Sequence, residues 1–182
     1  MDRSADLVVL LDDEHVPRGV AMRTEVHGHD TPLHLAFSCY LFDPAGRLLI
    51  TRRAVSKRTW PGVWTNSFCG HPRPGEPVAE AVHRYADHEL GTSLRGLRCL
   101  LPSFRYRAVD PTGVVENEVC PVYTAVCDGD LSPNPAEVEE HRWLSIKETR
   151  AAIDAAPWAL SPWMIQQVSS LEDAGAWWAM AP

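Results

Sequence analysis

Two short turns constrain this chain most. DPAG at 43–46 and DPTG at 110–113 each carry Asp, Pro and Gly in the same order. Asp bonds to the backbone ahead of it, Pro presets φ, and Gly accepts a left-handed conformation. HLAFSCYLF (34–42) and RLLIT (47–51) flank the first turn, and β-like runs at 97–107 and 114–127 flank the second. Both arrangements predict hairpins. LVVLL (7–11) predicts one further strand.

Helices are fewer. In EPVAEAVHRYADHEL (76–90), Val78, Ala81, Val82, Tyr85 and Ala86 share one helical face, and Gly91 supplies a stop. A second helix spans 145–154 behind a Ser cap, and a third starts at Ser161-Pro162 and runs through WMIQQVSSL. Strands, a helix, more strands and then helices predict an α+β fold. Its sheets would be mixed or antiparallel rather than doubly wound.

The 182 residues suit a single domain, 1–182, with a sizeable core. No apolar run approaches the roughly 20 residues of a membrane span. The opening MDRSADLVVLLDDEH holds too short an apolar segment for a signal peptide. A soluble, cytoplasmic protein is expected. Its cysteines, Cys39, Cys69, Cys99, Cys120 and Cys127, are odd in number and form no CxxC pair. That argues against a secreted disulfide framework or a four-cysteine zinc site. The net charge of −7 argues against general binding to nucleic acid or anionic lipid. An anionic substrate would then need local cations or a metal.

Four features carry possible chemistry: the histidines of VHGHDTPLHL, Cys69-Gly70-His71, Glu89, and Glu116-Asn117-Glu118 inside VVENEVCPVY. Glu116 and Glu118 are two apart on a strand and point to one face. Buried, the pair needs positive compensation, such as a metal held with histidines. On an edge strand with a wet face, it needs none. Cys69 and His71 share the same spacing, and a cation or metal nearby would ease loss of the thiol proton. Cys69 also suits a small core position. RRAVSKR (52–58) offers cations for phosphate groups or forms a solvated loop. The other four cysteines lie in apolar runs and are expected to be packed.

TRRAVSKRTWPGVWTNSFCGHP, FRYRAVDPTGVVENEVCPVY and PWALSPW occur in this order. Together they resemble the type I isopentenyl-diphosphate delta-isomerase family, and the likeness runs from Arg23 to Trp163. The resemblance implies a Nudix-like fold. The Nudix box is traced by Gly70, Glu76, Arg84 and Glu89-Leu90-Gly91, but Tyr85 and His88 stand where a hydrolytic box has acids. It also implies that His27, His34, His71, Glu116 and Glu118 hold Mn²⁺ or Zn²⁺, a set suited to five or six coordination. Glu89 matches the residue associated with Mg²⁺ bridging to substrate diphosphate. Arg23, Arg53 and Lys57 match diphosphate-binding cations, while Tyr85 stands where some relatives place another, an Arg.

The implied reaction interconverts isopentenyl and dimethylallyl diphosphate through a tertiary carbocation. By the same resemblance Cys69 and Glu118 are the acid–base pair, Tyr106 assists Glu118, and the Trp163 face lies against the cation. From residue type alone, Trp163 is a core aromatic. A monomer acting on a small isoprenoid diphosphate is expected. The alternatives are a Nudix hydrolase of a diphosphate-containing substrate and a non-catalytic metal- or partner-binding domain.

Overall fold

The computed structural model describes residues 7–181. In chain order the strands are Leu7–Leu11 (β1), Pro17–Met22 (β2), His34–Leu35 (β3), Phe37–Phe42 (β4), Leu48–Arg53 (β5), Trp64–Thr65 (β6), Phe68–Gly70 (β7), Ser93–Leu101 (β8), Arg105–Val109 (β9), Val115–Val119 (β10), Val122–Asp128 (β11) and Val138–Leu144 (β12). The helices are Arg23–Val26 (α1), Val78–Leu90 (α2), Ile146–Ala155 (α3) and Pro162–Asp173 (α4).

Two mixed sheets result, ordered β2-β1-β3-β10-β9 and β12-β5-β4-β11-β8. Three runs expected to be continuous are broken. Residues 34–42 divide at Ala36 and residues 114–127 at Cys120-Pro121, while 97–107 splits into β8 and β9. Pro121 has no N–H to give a central ladder, so a break there is expected from backbone chemistry. The first two breaks do the same work. β3 and β10 pair in parallel in one sheet, and β4 and β11 pair in parallel in the other. This doublet carries the chain from sheet to sheet, through Ala36 N–H to Val119 O and Ser38 N–H to Pro121 O.

Both predicted turns form. Asp43 Oδ1 accepts from Ala45 and Arg47 N–H, and Asp110 Oδ1 accepts from Thr112 and Val114 N–H. The first hairpin splays at once, since β4 and β5 share only the pair Phe42–Leu48. The segment 64–70 enters the gap, β6 against β5 and β7 against β4. Its polar residues replace the missing ladder bonds. Ser67 Oγ accepts from Leu41 N–H and donates to Leu49 O. Asn66 Nδ2 donates to the carbonyls of Cys39 and Phe68. Thr65, Asn66 and Ser67 are buried for this reason.

β4 is buried on both faces. Phe37, Cys39 and Leu41 pack with Ala81, Val82 and Ala86 of α2, and Tyr40 and Phe42 with Met164, Val168 and Leu171 of α4. The predicted helices form within a few residues of their expected ends. Ser145 makes a capping box with Glu148, and Ser161 caps α4. β2 and β12, unforeseen in the sequence, lie at sheet edges. Cys99 is a correction: it is exposed on edge strand β8, whereas Cys39, Cys120 and Cys127 are buried as expected.

Gly91 ends α2 with φ +60°, and an added Cβ would lie 2.7 Å from Ser132 O. Gly91→Ala therefore combines left-handed strain with a backbone clash. It should lower stability by about 2–4 kcal/mol in urea unfolding, and a loss under about 0.5 kcal/mol would contradict this cap geometry.

Candidate active site

Strand register assembles the site. Glu118 lies opposite His34 of β3 on one side and Tyr106 of β9 on the other. Tyr106 donates its hydroxyl to Glu118 Oε2 at 2.8 Å. β10 is internal to its sheet, and Glu116 and Glu118 are both buried. This removes the solvated edge-strand reading of the two acids.

Three imidazoles compensate them. His71 Nε2 is 3.1 Å from Glu118 Oε1, His34 Nε2 is 3.4 Å from the same oxygen, and His27 Nε2 is 2.8 Å from Glu116 Oε2. Ligand atoms of His27, His34, His71 and Glu118 all fall within 4.8 Å of one another. The fit of a metal rests on three buried atoms, His27 Nε2, His34 Nε2 and Glu116 Oε2, none of which has a hydrogen-bond partner. Converging ligand atoms that make no hydrogen bond, with only the close ion-pair approach of His27 to Glu116, are what a cation would satisfy. His34 Nδ1 is already directed at Pro32 O at 2.9 Å, leaving Nε2 for the cluster. Burial disfavours charge on Glu118, yet His34 and His71 outweigh it and hold the carboxyl well below its usual range. Burial likewise lowers His71.

Beside this cluster is a cavity of about 510 Å³. Its lining brings together Arg23, His27, Arg53, Lys57, Cys69, His71, Glu89, Tyr106, Glu116, Glu118 and Trp163. His34 alone among the expected site residues is not in the lining; it is fully buried behind it. Cys69 enters from β7 of one sheet and Glu118 from β10 of the other.

Burial pushes the Cys69 thiol up to about 11, outweighing the lowering by its hydrogen bonds to Ser38 and Asn66 and by the Arg53 charge. Its neighbours are Ser38 Oγ at 3.2 Å and Asn66 Oδ1 at 3.3 Å. The same Asn66 oxygen accepts from Trp163 Nε1 at 3.1 Å, which ties thiol and indole to one amide. Behind them Gln167 donates to Ser38 Oγ and accepts from the Tyr40 hydroxyl. Asn66, Ser38 and Gln167 were not foreseen as site residues; three successive polar residues before a strand-like FCG were the available signal. Trp163 is buried, as a core aromatic would be, and its ring lies 5.8 Å from that of Tyr106.

The cations and Glu89 form the other end. Lys57 pairs with Glu137 and approaches Glu89 to 4.0 Å. Burial raises Glu89 to about 7. Arg53 donates to the carbonyls of Thr59 and Trp60, with its guanidinium 5.8 Å from the Trp163 ring centre. Arg84 binds both oxygens of Glu76 and also donates to His71 O, so it braces the loop before α2.

The NUDIX domain family model matches residues 32–164. The isopentenyl-diphosphate Delta-isomerase of Frankia alni is 62% identical over 169 residues, 93% of this chain and 87% of that protein. The chain belongs to the isopentenyl-diphosphate delta-isomerase family. The family member from Brevibacterium linens is 54% identical, with 92% of each chain covered. Solved structures agree on the Nudix fold. DR0079 of Deinococcus radiodurans superposes with a TM-score of 0.70 at 23% identity, covering 90% of this chain and 98% of that one. The MutT protein of Methanosarcina mazei gives 0.60 at 17%, covering 79% and 96%. Among described residues, no helix is long and apolar enough to cross a membrane.

The Arg84 brace has a measurable pH signature. Arg84 holds the Glu76 carboxyl below its usual range. A depressed carboxyl contributes stability above its unfolded pKa, and that contribution is lost as pH falls through the folded value. Arg84→Gln should cost about 1–2 kcal/mol at pH 7, and the difference from the parent should shrink below about pH 4. Denaturant titrations between pH 7 and pH 3 check this; a constant difference would contradict it.

Proposed function

We propose that this chain interconverts isopentenyl and dimethylallyl diphosphate. The observation that supports this most is the convergence of Cys69 and Glu118, from different sheets, on one cavity shared with Tyr106 and Trp163. The reaction adds a proton to the terminal alkene carbon, leaves a tertiary cation on the internal one, and removes a proton from the CH₂ attached to that cation. One group must start protonated and the other deprotonated, and each turnover exchanges their states. A buried thiol held near 11 and a carboxyl held well below its usual range form such an unlike pair.

The other lining residues have distinct tasks in this reading. Tyr106 orients the Glu118 carboxyl through its hydrogen bond. The Trp163 face stabilises the tertiary carbocation, an attraction worth about 2 kcal/mol or about thirtyfold in rate when desolvated. Asn66 fixes both the thiol and that indole. Walls of Trp163, Tyr106 and Ala36 exclude water that would capture the cation.

His27, His34, His71, Glu116 and Glu118 would hold Mn²⁺ or Zn²⁺. When bound, the ion supplies charge that offsets the acids and makes a protonated Glu118 a stronger acid. Glu89 would hold Mg²⁺ with the diphosphate, and Arg23, Arg53 and Lys57 would bind phosphate oxygens. A monomeric, cytoplasmic enzyme acting on a small isoprenoid diphosphate completes the reading.

Purified protein incubated with isopentenyl diphosphate and Mg²⁺ in D₂O should form dimethylallyl diphosphate carrying deuterium, without free phosphate. Phosphate release in place of isomerisation would favour a Nudix hydrolase. Cys69→Ala and Glu118→Gln should each lose at least about 10³-fold in kcat while retaining substrate binding by calorimetry. Normal turnover by either variant would remove the acid–base assignment.

A further inference from the structure

One cation of the cavity has a role that nothing so far assigns. Six basic side chains reach its lining besides histidine: Arg23, Arg53, Lys57, Arg58, Arg73 and Arg84. Five of them are engaged by the protein, Arg23 among them. Arg53 holds the carbonyls of Thr59 and Trp60, Lys57 pairs with Glu137, Arg58 donates to Thr24 O, and Arg84 chelates Glu76. Arg73 differs: its Nε is buried without a hydrogen-bond partner. Glu76, the nearby acid, attracts it through space but gives its side chain no hydrogen bond. Glu76 Oε1 accepts from Arg84 Nε, and Oε2 from Arg84 Nη2 and the Arg73 backbone N–H. The Arg73 loop is thus anchored through its backbone, and Arg73 forms part of the cavity lining.

A buried guanidinium N–H without an acceptor is costly, and an anion entering the cavity relieves that cost. The planar fork of Arg matches two phosphate oxygens. Arg84, the neighbouring guanidinium, is committed to Glu76 and to His71 O. The ring of Tyr85 packs edge-on against Phe37 at 5.4 Å with the Arg84 guanidinium 4.7 Å over it, and the His71 backbone lies against its hydroxyl. Adding a Cβ at Gly70 would bring it within 2.6 Å of that ring, so the phenol is closely enclosed. His71 and Arg73 flank Pro72, which brings the Arg73 loop beside Tyr85.

We propose that Arg73 binds the diphosphate of the substrate through its guanidinium fork. This deepens the isomerase reading and rests on it for the substrate's identity. Its binding test uses inorganic diphosphate with Mg²⁺, independent of turnover. Calorimetry on the full chain should find diphosphate bound about tenfold or more weakly by Arg73→Gln, with Arg73→Lys in between. With isopentenyl diphosphate, Arg73→Gln should raise KM by a similar factor and change kcat by less than about threefold.

Arg142→Gln, which removes an exposed charge on β12 outside the cavity lining, is the control and should bind as the parent does. Parent-like diphosphate binding by Arg73→Gln would overturn the proposal. So would an equal loss in Arg142→Gln, which would reduce the effect to bulk charge. If the parent chain makes no dimethylallyl diphosphate but the Arg73 dependence of diphosphate binding persists, the isomerase reading fails and this assignment stands.

Discussion

Two carboxylates buried side by side in the middle of a sheet are the constraint around which this structure is arranged. Glu116 and Glu118 cannot stay charged there without compensation. Their partners come from three separate places: His27 after α1, His34 on β3 and His71 after β7. The cluster therefore joins both sheets and the segment at the end of α1. It also leaves converging donor atoms without hydrogen bonds, which a purely structural polar network would avoid. A site that holds its ligands ready at this cost is suited to a cation.

The second organising device is the splayed hairpin. β4 and β5 part after one pair, and Thr65-Asn66-Ser67 satisfies the backbone groups they expose. Filling that gap delivers Cys69 to the cavity on a short strand whose partner, by register, is Ser38. The same insertion lets one amide oxygen of Asn66 hold both Cys69 and Trp163. Fold repair and site construction are here the work of the same residues.

Features that depend on local chemistry were legible in the sequence. The Asp-Pro-x-Gly turns, the Ser caps of α3 and α4 and the Gly91 stop follow from backbone and side-chain preferences within a few residues. All but one of the residues expected at the site line the cavity, and the family resemblance of the motifs, not their spacing alone, had pointed to them. Pairing was not legible. Whether Glu116 and Glu118 faced water depended on β9 and β3 covering both edges of β10, and no residue within VENEV specifies that. The breaks at Ala36 and at 102–104 follow from sheet crossing, although Pro121 marked one break plainly. β2 and β12 carry the polar residues of edge strands and lack a clear apolar alternation, so their pairing was hidden. Cys99 was misplaced for the same reason: an apolar neighbourhood in sequence says little about an edge.

The nature of the metal cluster is the most direct point of test, because in the proposed reaction the Cys69 sulfur carries a proton and is not a metal ligand. X-ray absorption on protein reconstituted with Zn²⁺ reads the first coordination sphere without relying on turnover. One ion per chain, surrounded only by nitrogen and oxygen, is the predicted result. A sulfur neighbour at about 2.3 Å would contradict it, as would a chain that takes up no ion at this cluster.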